Sequence, residues 1–215
     1  MRLPLRLAAI ADWTKGGSVA DIGTDHALLP VFLVLSGKAE KAFACDIGTG
    51  PLEAARRQIE KARVGDRVQP VLCDGIPPCA AGCDCLVIAG MGGELIAAIL
   101  SRHSPRPGQQ LLLQPMTREG ALRRALHAGG WRISRETHIR EDERIYTLIE
   151  AFAGKEDPPY RPAEEEVGRF CREGAGREKL LRRIAEEKRV AESRRAAGRE
   201  DRILEEWIRE WEAMV

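Results

Sequence analysis

Apolar residues recur along the first two thirds of the chain in two rhythms, short unbroken runs that stop at aspartate or glycine and longer stretches with helical spacing. Leu3, Leu7, Ala8, Ile10 and Ala11 have the helical spacing, which predicts a helix over the first dozen residues, packed on a sheet or over its ligand mouth. Lys15-Gly16-Gly17-Ser18 ends it. Short runs at 18–22, 41–46, 68–72, 85–89 and 110–114 read as strands, and the run Cys85-Leu86-Val87-Ile88-Ala89 is unbroken, as a central parallel strand buried on both faces should be. Helical stretches at 27–35, 52–63, 94–100 and 117–128 alternate with them. Pro30 sits near the N-terminal turn of the first, Thr117 is placed to cap the last, and Gly129-Gly130 stops it.

Two further strand-like runs, 131–139 and 144–152, are joined by only Arg140-Glu141-Asp142-Glu143. That join is too short for a crossover helix, so the two must pair antiparallel. Five parallel strands closed by an antiparallel hairpin is an α/β build, the Rossmann-like sheet of class I methyltransferases; nicotinamide-binding folds finish with another parallel crossover. From Gly154 the composition shifts to a polar, proline-bearing linker and then to a tail of Glu, Arg and Ala. The tail reads as helices over 163–171, 178–197 and 200–214, with breaks at Gly174-Ala175-Gly176 and near Gly198. Leu180, Leu181 and Ile184 on one helix and Ile203, Leu204, Trp207, Ile208 and Trp211 on the next form stripes that need each other, so an antiparallel helical pair is expected. The division is a catalytic domain at 1–154 and a helical, coiled-coil-like domain at 155–215.

With 215 residues, 44% apolar and 31% charged, the chain holds one full core and a smaller appendage. A net charge of +1 neither announces a nucleic-acid partner nor excludes a local basic patch. The N-terminal apolar run, interrupted by Pro4 and Arg6, is too short and broken for a secretory signal, and no stretch would span a bilayer; a cytoplasmic protein is expected. The spacing of Cys79, Cys83 and Cys85 fits no common zinc pattern, and Cys45, Cys73 and Cys85 lie in apolar runs, so neither a metal site nor a disulfide is expected.

The candidate chemistry lies where the first strand ends, at Asp21-Ile22-Gly23-Thr24-Asp25-His26. Ligands of open α/β sheets bind outside the carboxyl ends of the strands, where a glycine lets the backbone come close. Acids beside that turn repel a pyrophosphate and suit a ligand bearing an amine, a sulfonium or ribose hydroxyls, which points to S-adenosylmethionine. Asp46 ends the second strand, where a carboxylate takes both hydroxyls of a ribose. Asp74-Gly75 ends the third and reads equally as turn chemistry or as an acceptor for an adenine amino group. Gly90-Met91-Gly92-Gly93 follows the fourth strand without the spacing of a phosphate loop; its glycines can let a target base reach the backbone beside a methyl donor. His26 reads either as a site residue or as a capping or core histidine.

Asp21 to His26, Ala44-Cys45-Asp46-Ile47 leading to Gly50-Pro51-Leu52, Asp74-Gly75, Ala89-Gly90-Met91-Gly92-Gly93, Gln114-Pro115 and Ile145-Tyr146 together resemble the bacterial tRNA (adenine-22-N1)-methyltransferase family. The resemblance implies methylation of N1 of an adenine in the D-arm region of tRNA, with Asp21 and Gly23 at the methionine end of the cofactor, Asp46 at its ribose and Asp74 with Gly75 at its adenine. It also implies that Gly90, Met91 and Gly92 shape the meeting of donor and base, with Asp25 and His26 as the catalytic pair. Leu28 departs from the family pattern, where a tyrosine or similar ring is expected, and so does Met116, where asparagine is frequent; both are candidates to line the base pocket. Arg182, Arg183, Arg189, Arg194, Arg195 and Arg199 are candidate contacts to tRNA phosphates, and a monomer is expected. A small-molecule methyltransferase, a DNA or ribosomal RNA adenine methyltransferase, and a cofactor-binding module without catalysis are the alternatives; the second usually carries an Asn/Asp-Pro-Pro-aromatic turn where this chain has Gly90 to Gly93.

Overall fold

A computed structural model describes all 215 residues. In chain order the elements are α1 (Leu5–Trp13), β1 (Ser18–Ile22), α2 (Leu28–Leu35), β2 (Lys41–Asp46), α3 (Thr49–Ala62), β3 (Val68–Leu72), β4 (Cys85–Gly92), α4 (Gly93–Leu100) and β5 (Gln110–Thr117). They continue with α5 (Glu119–Ala128), β6 (Trp131–Glu141), β7 (Arg144–Ala153), α6 (Pro162–Val167), α7 (Gly174–Ala196) and α8 (Arg202–Glu212). One seven-stranded sheet has the order β3-β2-β1-β4-β5-β7-β6. The first five strands are parallel, and β7 lies antiparallel both to β5 and to β6. After β3 the chain crosses back to the far side of β1, so the strand order reverses between β1 and β4 and opens a crevice at their carboxyl ends.

Alternation along the strands supplies two cores, one on each face. Val19, Val87 and Leu112 pack with the helical residues Ile10, Leu33 and Ile59, whereas Ala20, Leu86 and Leu111 pack with Ile96 and Leu122. α1 is fastened to the hairpin: Glu141 accepts from the Leu5 amide and the Arg6 guanidinium, each at 2.6 Å, and the Arg135 guanidinium lies 3.9 Å over the Trp13 ring. That anchorage sets Arg6 and Leu7 at the sheet's carboxyl edge.

A third cluster, Ala163, Cys171, Leu180, Ile184, Leu204, Ile208, Trp211 and Met214, holds the C-terminal helices together. Ion pairs from Lys188 to Glu212 and from Arg195 to Glu205 follow an antiparallel register of α7 and α8. Trp211 is fully buried and donates from Nε1 to the Ala163 carbonyl at 2.8 Å, while Trp207 is half-buried at the margin. These helices are tied to the sheet. The fully buried Arg123 of α5 donates to Glu136 of β6 at 2.7 Å and to the Glu165 and Glu166 carbonyls at 2.9 and 3.1 Å. Lys179 of α7 pairs with Glu119 and donates to the buried Thr147 hydroxyl at 2.7 Å.

Among the boundaries that differ from the sequence reading, four have a visible cause. β4 runs through Gly90, Met91 and Gly92 as a bulged strand rather than stopping before them, because β5 also continues to Thr117 and offers it partners. Thr117 is therefore strand, and α5 starts after Arg118 in the left-handed region with no side-chain cap. Gly174-Ala175-Gly176 opens α7 instead of breaking it: Gly176 is packed against His138, where no larger residue fits. α6 stops at Val167 because Gly168, at φ 82°, leaves the helical region.

Candidate active site

β1 delivers Asp21 to the crevice and ends in Ile22-Gly23. Gly23 has φ 77°, its amide and that of Thr24 donate to the Cys45 carbonyl at 2.8 and 2.9 Å, and a Cβ on it would collide with Met91 Cε. Glycine is thus required by conformation, and a Cβ would in addition displace the flexible end of Met91. The next bend is unusual, since His26 and Ala27 both sit in the left-handed region, at φ 55° and 52°. Two such non-glycine residues in succession are strained, and strain of this kind collects at functional turns. Their effect is to throw Asp25 and His26 outward: their side chains are 73% and 63% exposed and 3.5 Å apart.

Asp21 is the opposite case. It is 6% exposed, accepts a 2.7 Å hydrogen bond from Thr24 Oγ1, and has no cation beside it. Burial pushes its carboxyl up to about 6, the Thr24 bond opposes this, and the charges of Asp25 and Asp46 add to the rise. A buried acid short of a counter-charge is a receptor for a ligand's ammonium group.

Two cavities open on either side of this turn. One, of about 300 Å³, is bounded by Leu7, Asp21, Leu29, Gly90, Gln114 and Met116; the other, of about 560 Å³, by His26, Asp46, Gly50, Pro51 and Arg57; Gly23 and Asp25 line both. Asp46 accepts from the Gly48 amide at 2.7 Å at the end of β2. Gly90 has φ 78° at the β4 bulge and no atom within 4 Å of where a Cβ would stand, so its backbone is open to close approach.

The crevice therefore gathers Asp21, Gly23, Asp25, His26, Asp46 and Gly90, with Met91 covering Gly23. Three predicted residues lie apart. Asp74, beyond the end of β3, is exposed and paired with Arg102 at 3.2 Å; Gly75 packs against Ile99; and Gly92 backs onto Thr117. Met116 lines the smaller cavity, but Leu28 does not: it is partly buried and packs against the cluster that holds Val19 and Leu29. The sequence reading allows the first helix to lie over the ligand mouth but gives Arg6 and Leu7 no site role, and it quotes Gln114 without a role. A signal for Gln114 was present: one amide following three leucines in a buried strand. Exposed Ile47 and Leu72, at the ends of β2 and β3, add apolar surface beside Asp46.

Four of the six tail arginines are ion-paired: Arg182 with Glu178, Arg183 with Glu187, Arg194 with Asp201 and Arg195 with Glu205. All six cysteines are free, and no group of three or more His, Cys, Asp or Glu side chains is arranged to hold a metal ion. No helix is long and apolar enough to cross a membrane.

Residues 3–149 match the family model described as a methyltransferase domain. The chain is 36% identical over 164 residues to the tRNA (adenine(22)-N(1))-methyltransferase of Bacillus subtilis strain 168, an alignment covering 74% of this chain and 69% of that one. The chain belongs to the tRNA (adenine(22)-N(1))-methyltransferase family. Solved structures of the family agree in fold over nearly the whole chain. The B. subtilis enzyme TrmK superposes with a TM-score of 0.84 at 28% identity, covering 99% of this chain and 95% of that one. Mycoplasma capricolum TrmK, in complex with S-adenosyl-homocysteine, superposes with a TM-score of 0.77 at 27% identity over 89% and 88% of the two chains. A Streptococcus pneumoniae protein in complex with S-adenosyl-L-methionine gives 0.84 at 25% identity over 99% of each. The B. subtilis and S. pneumoniae superpositions cover 99% of this chain, so the likeness of fold includes the antiparallel hairpin and the helical tail.

Proposed function

We propose that the protein transfers the methyl group of S-adenosylmethionine to N1 of the adenine at position 22 of tRNA, acting in the cytoplasm as a monomer. The observation that carries this reading is the pair of cavities meeting at Gly23 and Asp25, one toward the ribose-binding end of β2 and the other toward β5. Such an arrangement admits a donor lying across the turn, from Asp46 in the larger cavity to Asp21 in the smaller, and leaves the β5 side of the smaller cavity to the acceptor.

The residues fit the donor on independent grounds. Asp21 is a buried acid lacking a cation and suits the ammonium of the methionine portion. Asp46 ends β2 where a ribose is held. Gly23 and Gly90 leave the backbone uncovered between them. Asp74 is paired with Arg102 through Oδ2, which leaves Oδ1 to accept from an adenine amino group. When bound, S-adenosylmethionine supplies an electrophilic sulfonium methyl.

The chain's own contribution is orientation, desolvation and charge. Neutral adenine carries a lone pair on N1 and needs no deprotonation before attack. Leu7, Leu29 and Met116 form an apolar wall that excludes water from the line of transfer. Asp25 accepts a hydrogen bond from the exocyclic amine and stabilises the positive charge that the base acquires. His26, 3.5 Å from Asp25, holds that carboxylate in place or meets a phosphate of the substrate. N1 lies on the pairing edge, so the base must be unpaired or flipped out to enter.

The test is incubation with tritiated methyl donor and separate pools of tRNA, ribosomal RNA and DNA, followed by nucleoside analysis. Label recovered as 1-methyladenosine from tRNA alone is expected. Label in ribosomal RNA or DNA, or turnover that persists on small molecules after removal of residues 155–215, would replace this reading with one of its competitors.

A further inference from the structure

β5 carries Leu111, Leu112 and Leu113 into the core and then a single amide, Gln114, which is fully buried. The side chain belongs to the wall of the smaller cavity, beside Gly90 and Met116. Its Nε2 donates to the Pro115 carbonyl at 3.1 Å and lies 3.4 Å from Met116 Sδ, while its Oε1 has no hydrogen-bond partner at all. Two acceptors around Nε2 assign the orientation of the amide; the reverse flip would set two carbonyl oxygens against each other. What remains is a buried acceptor with nothing to accept from. Buried polar groups left this way are rare and costly, and a ligand that brings the missing donor removes the cost.

The position of Gln114 indicates which ligand. It pairs in register with Ala89 of β4, and β4 separates it from β1, so it stands about two strand spacings, roughly 10 Å, across the sheet from Asp21. The donor's charged end belongs to Asp21 at the β1 side of this cavity, which leaves its β5 side, lined by Gln114 and Met116, to the acceptor base. Met116 covers the amide from outside, is itself 38% exposed, and has the flexible thioether that yields readily to an incoming ring.

We propose that Gln114 Oε1 accepts a hydrogen bond from the exocyclic amino group of the target base and thereby selects adenine over guanine. This rests on the reading of the site given above. Adenine presents an amino donor next to N1, whereas guanine presents a carbonyl oxygen there, which would face the Gln114 oxygen with no proton between them. Asp25 takes one amino hydrogen and Gln114 the other, which fixes the ring plane for in-line transfer. As N1 becomes alkylated the ring turns cationic and the amino hydrogens become stronger donors, so the bond tightens on the way to product and acts on kcat more than on KM.

The experiment compares wild type with Gln114→Met, which matches the side chain's length without its acceptor, and with Gln114→Glu, which keeps an oxygen at the site. Each is assayed on tRNA carrying adenosine or purine riboside at the target position, with S-adenosylmethionine affinity measured by calorimetry. Purine riboside lacks the amine and is intrinsically a poorer nucleophile, so the ratio between proteins is the readout. Wild type is expected to prefer adenosine by a factor that shrinks about five- to hundred-fold in Gln114→Met, with donor affinity unchanged and the loss on adenosine falling in kcat. Gln114→Glu, protonated at this buried position so that its O–H replaces the amide donor to the Pro115 carbonyl, is expected to retain the wild-type preference. Equal losses on both substrates in Gln114→Met, or a preference lost in a Gln114→Glu protein that still binds the donor, would overturn the proposal. Absence of 1-methyladenosine with wild type on adenosine tRNA would instead overturn the function on which it rests.

Discussion

Replacing Asp21 by asparagine should make the protein more stable and unable to hold its donor. In the folded chain the carboxyl is raised from 3.8 to about 6 because it is buried without a cation. At about 1.4 kcal/mol for each tenfold in the proton equilibrium, this amounts to about 3 kcal/mol of destabilisation once the group is ionised. The sign follows from proton counting. Between pH 3.8 and 6 the folded state binds more protons than the unfolded, so the contribution falls as pH rises through that window and is fully lost above it. Asparagine keeps the oxygen that accepts from Thr24 and removes the charge, but its amide hydrogens lack an acceptor, which returns part of the gain. A net stabilisation of about 1–3 kcal/mol at pH 7.5 is expected, or a rise in Tm of about 3–10 °C for a chain of this size. Urea denaturation at pH 5 and 7.5, with and without S-adenosylmethionine, measures it. Donor should stabilise wild type by mass action and leave Asp21→Asn unmoved. A variant no more stable than wild type at pH 7.5, or one that still gains stability from the donor, would refute the assignment of Asp21 as an acid awaiting a cation.

Gly23→Ala forces a side chain into the left-handed region and against Met91, and should lower donor affinity at least about tenfold by calorimetry. Asp25→Asn should leave donor affinity within about threefold and reduce kcat on tRNA by about ten- to hundred-fold, since its charge acts on the methylated base; full activity would remove Asp25 from the mechanism. Arg123→Met strips Glu136 of its buried partner and two carbonyls of α6 of their donor, and should cost about 3–5 kcal/mol in urea. His138 is pushed down to about 4 by burial first and by Lys179 second, so the unfolded chain binds more protons between pH 6.5 and 4 and stability drops as pH falls through that range; His138→Asn should restore about 2 kcal/mol at pH 5.

The sheet was legible because its strands are unbroken apolar runs and because a four-residue join admits only an antiparallel pair, as β6 and β7 prove to be. The boundaries that slipped share a cause, which is that a neighbour decided them. Gly90 to Gly92 look like a turn in isolation, yet β5 continues beside them and pairs with Met91 and Gly92, leaving Gly90 as the bulge. Gly174 and Gly176 look like a break, yet a helix there packs on His138 only if the residue is small. Within the site, Asp21, Gly23, Asp25 and Asp46 were readable from their place after strands. Asp74 follows a strand as well, but nothing in its surroundings along the chain announces Arg102, which arrives from the far end of α4. Arg6 and Leu7 enter the cavity wall through the bonds of α1 to Glu141, a contact 135 residues away for Arg6.

The Arg123 knot has a consequence for how the tail is seated. α6 is clamped through its last carbonyls to α5, and Lys179 ties the start of α7 to Thr147, so the tail is fastened to the sheet at two separate points. A chimera that exchanges tails between relatives would have to carry this arginine and its carbonyl partners together, or lose one of the two fastenings.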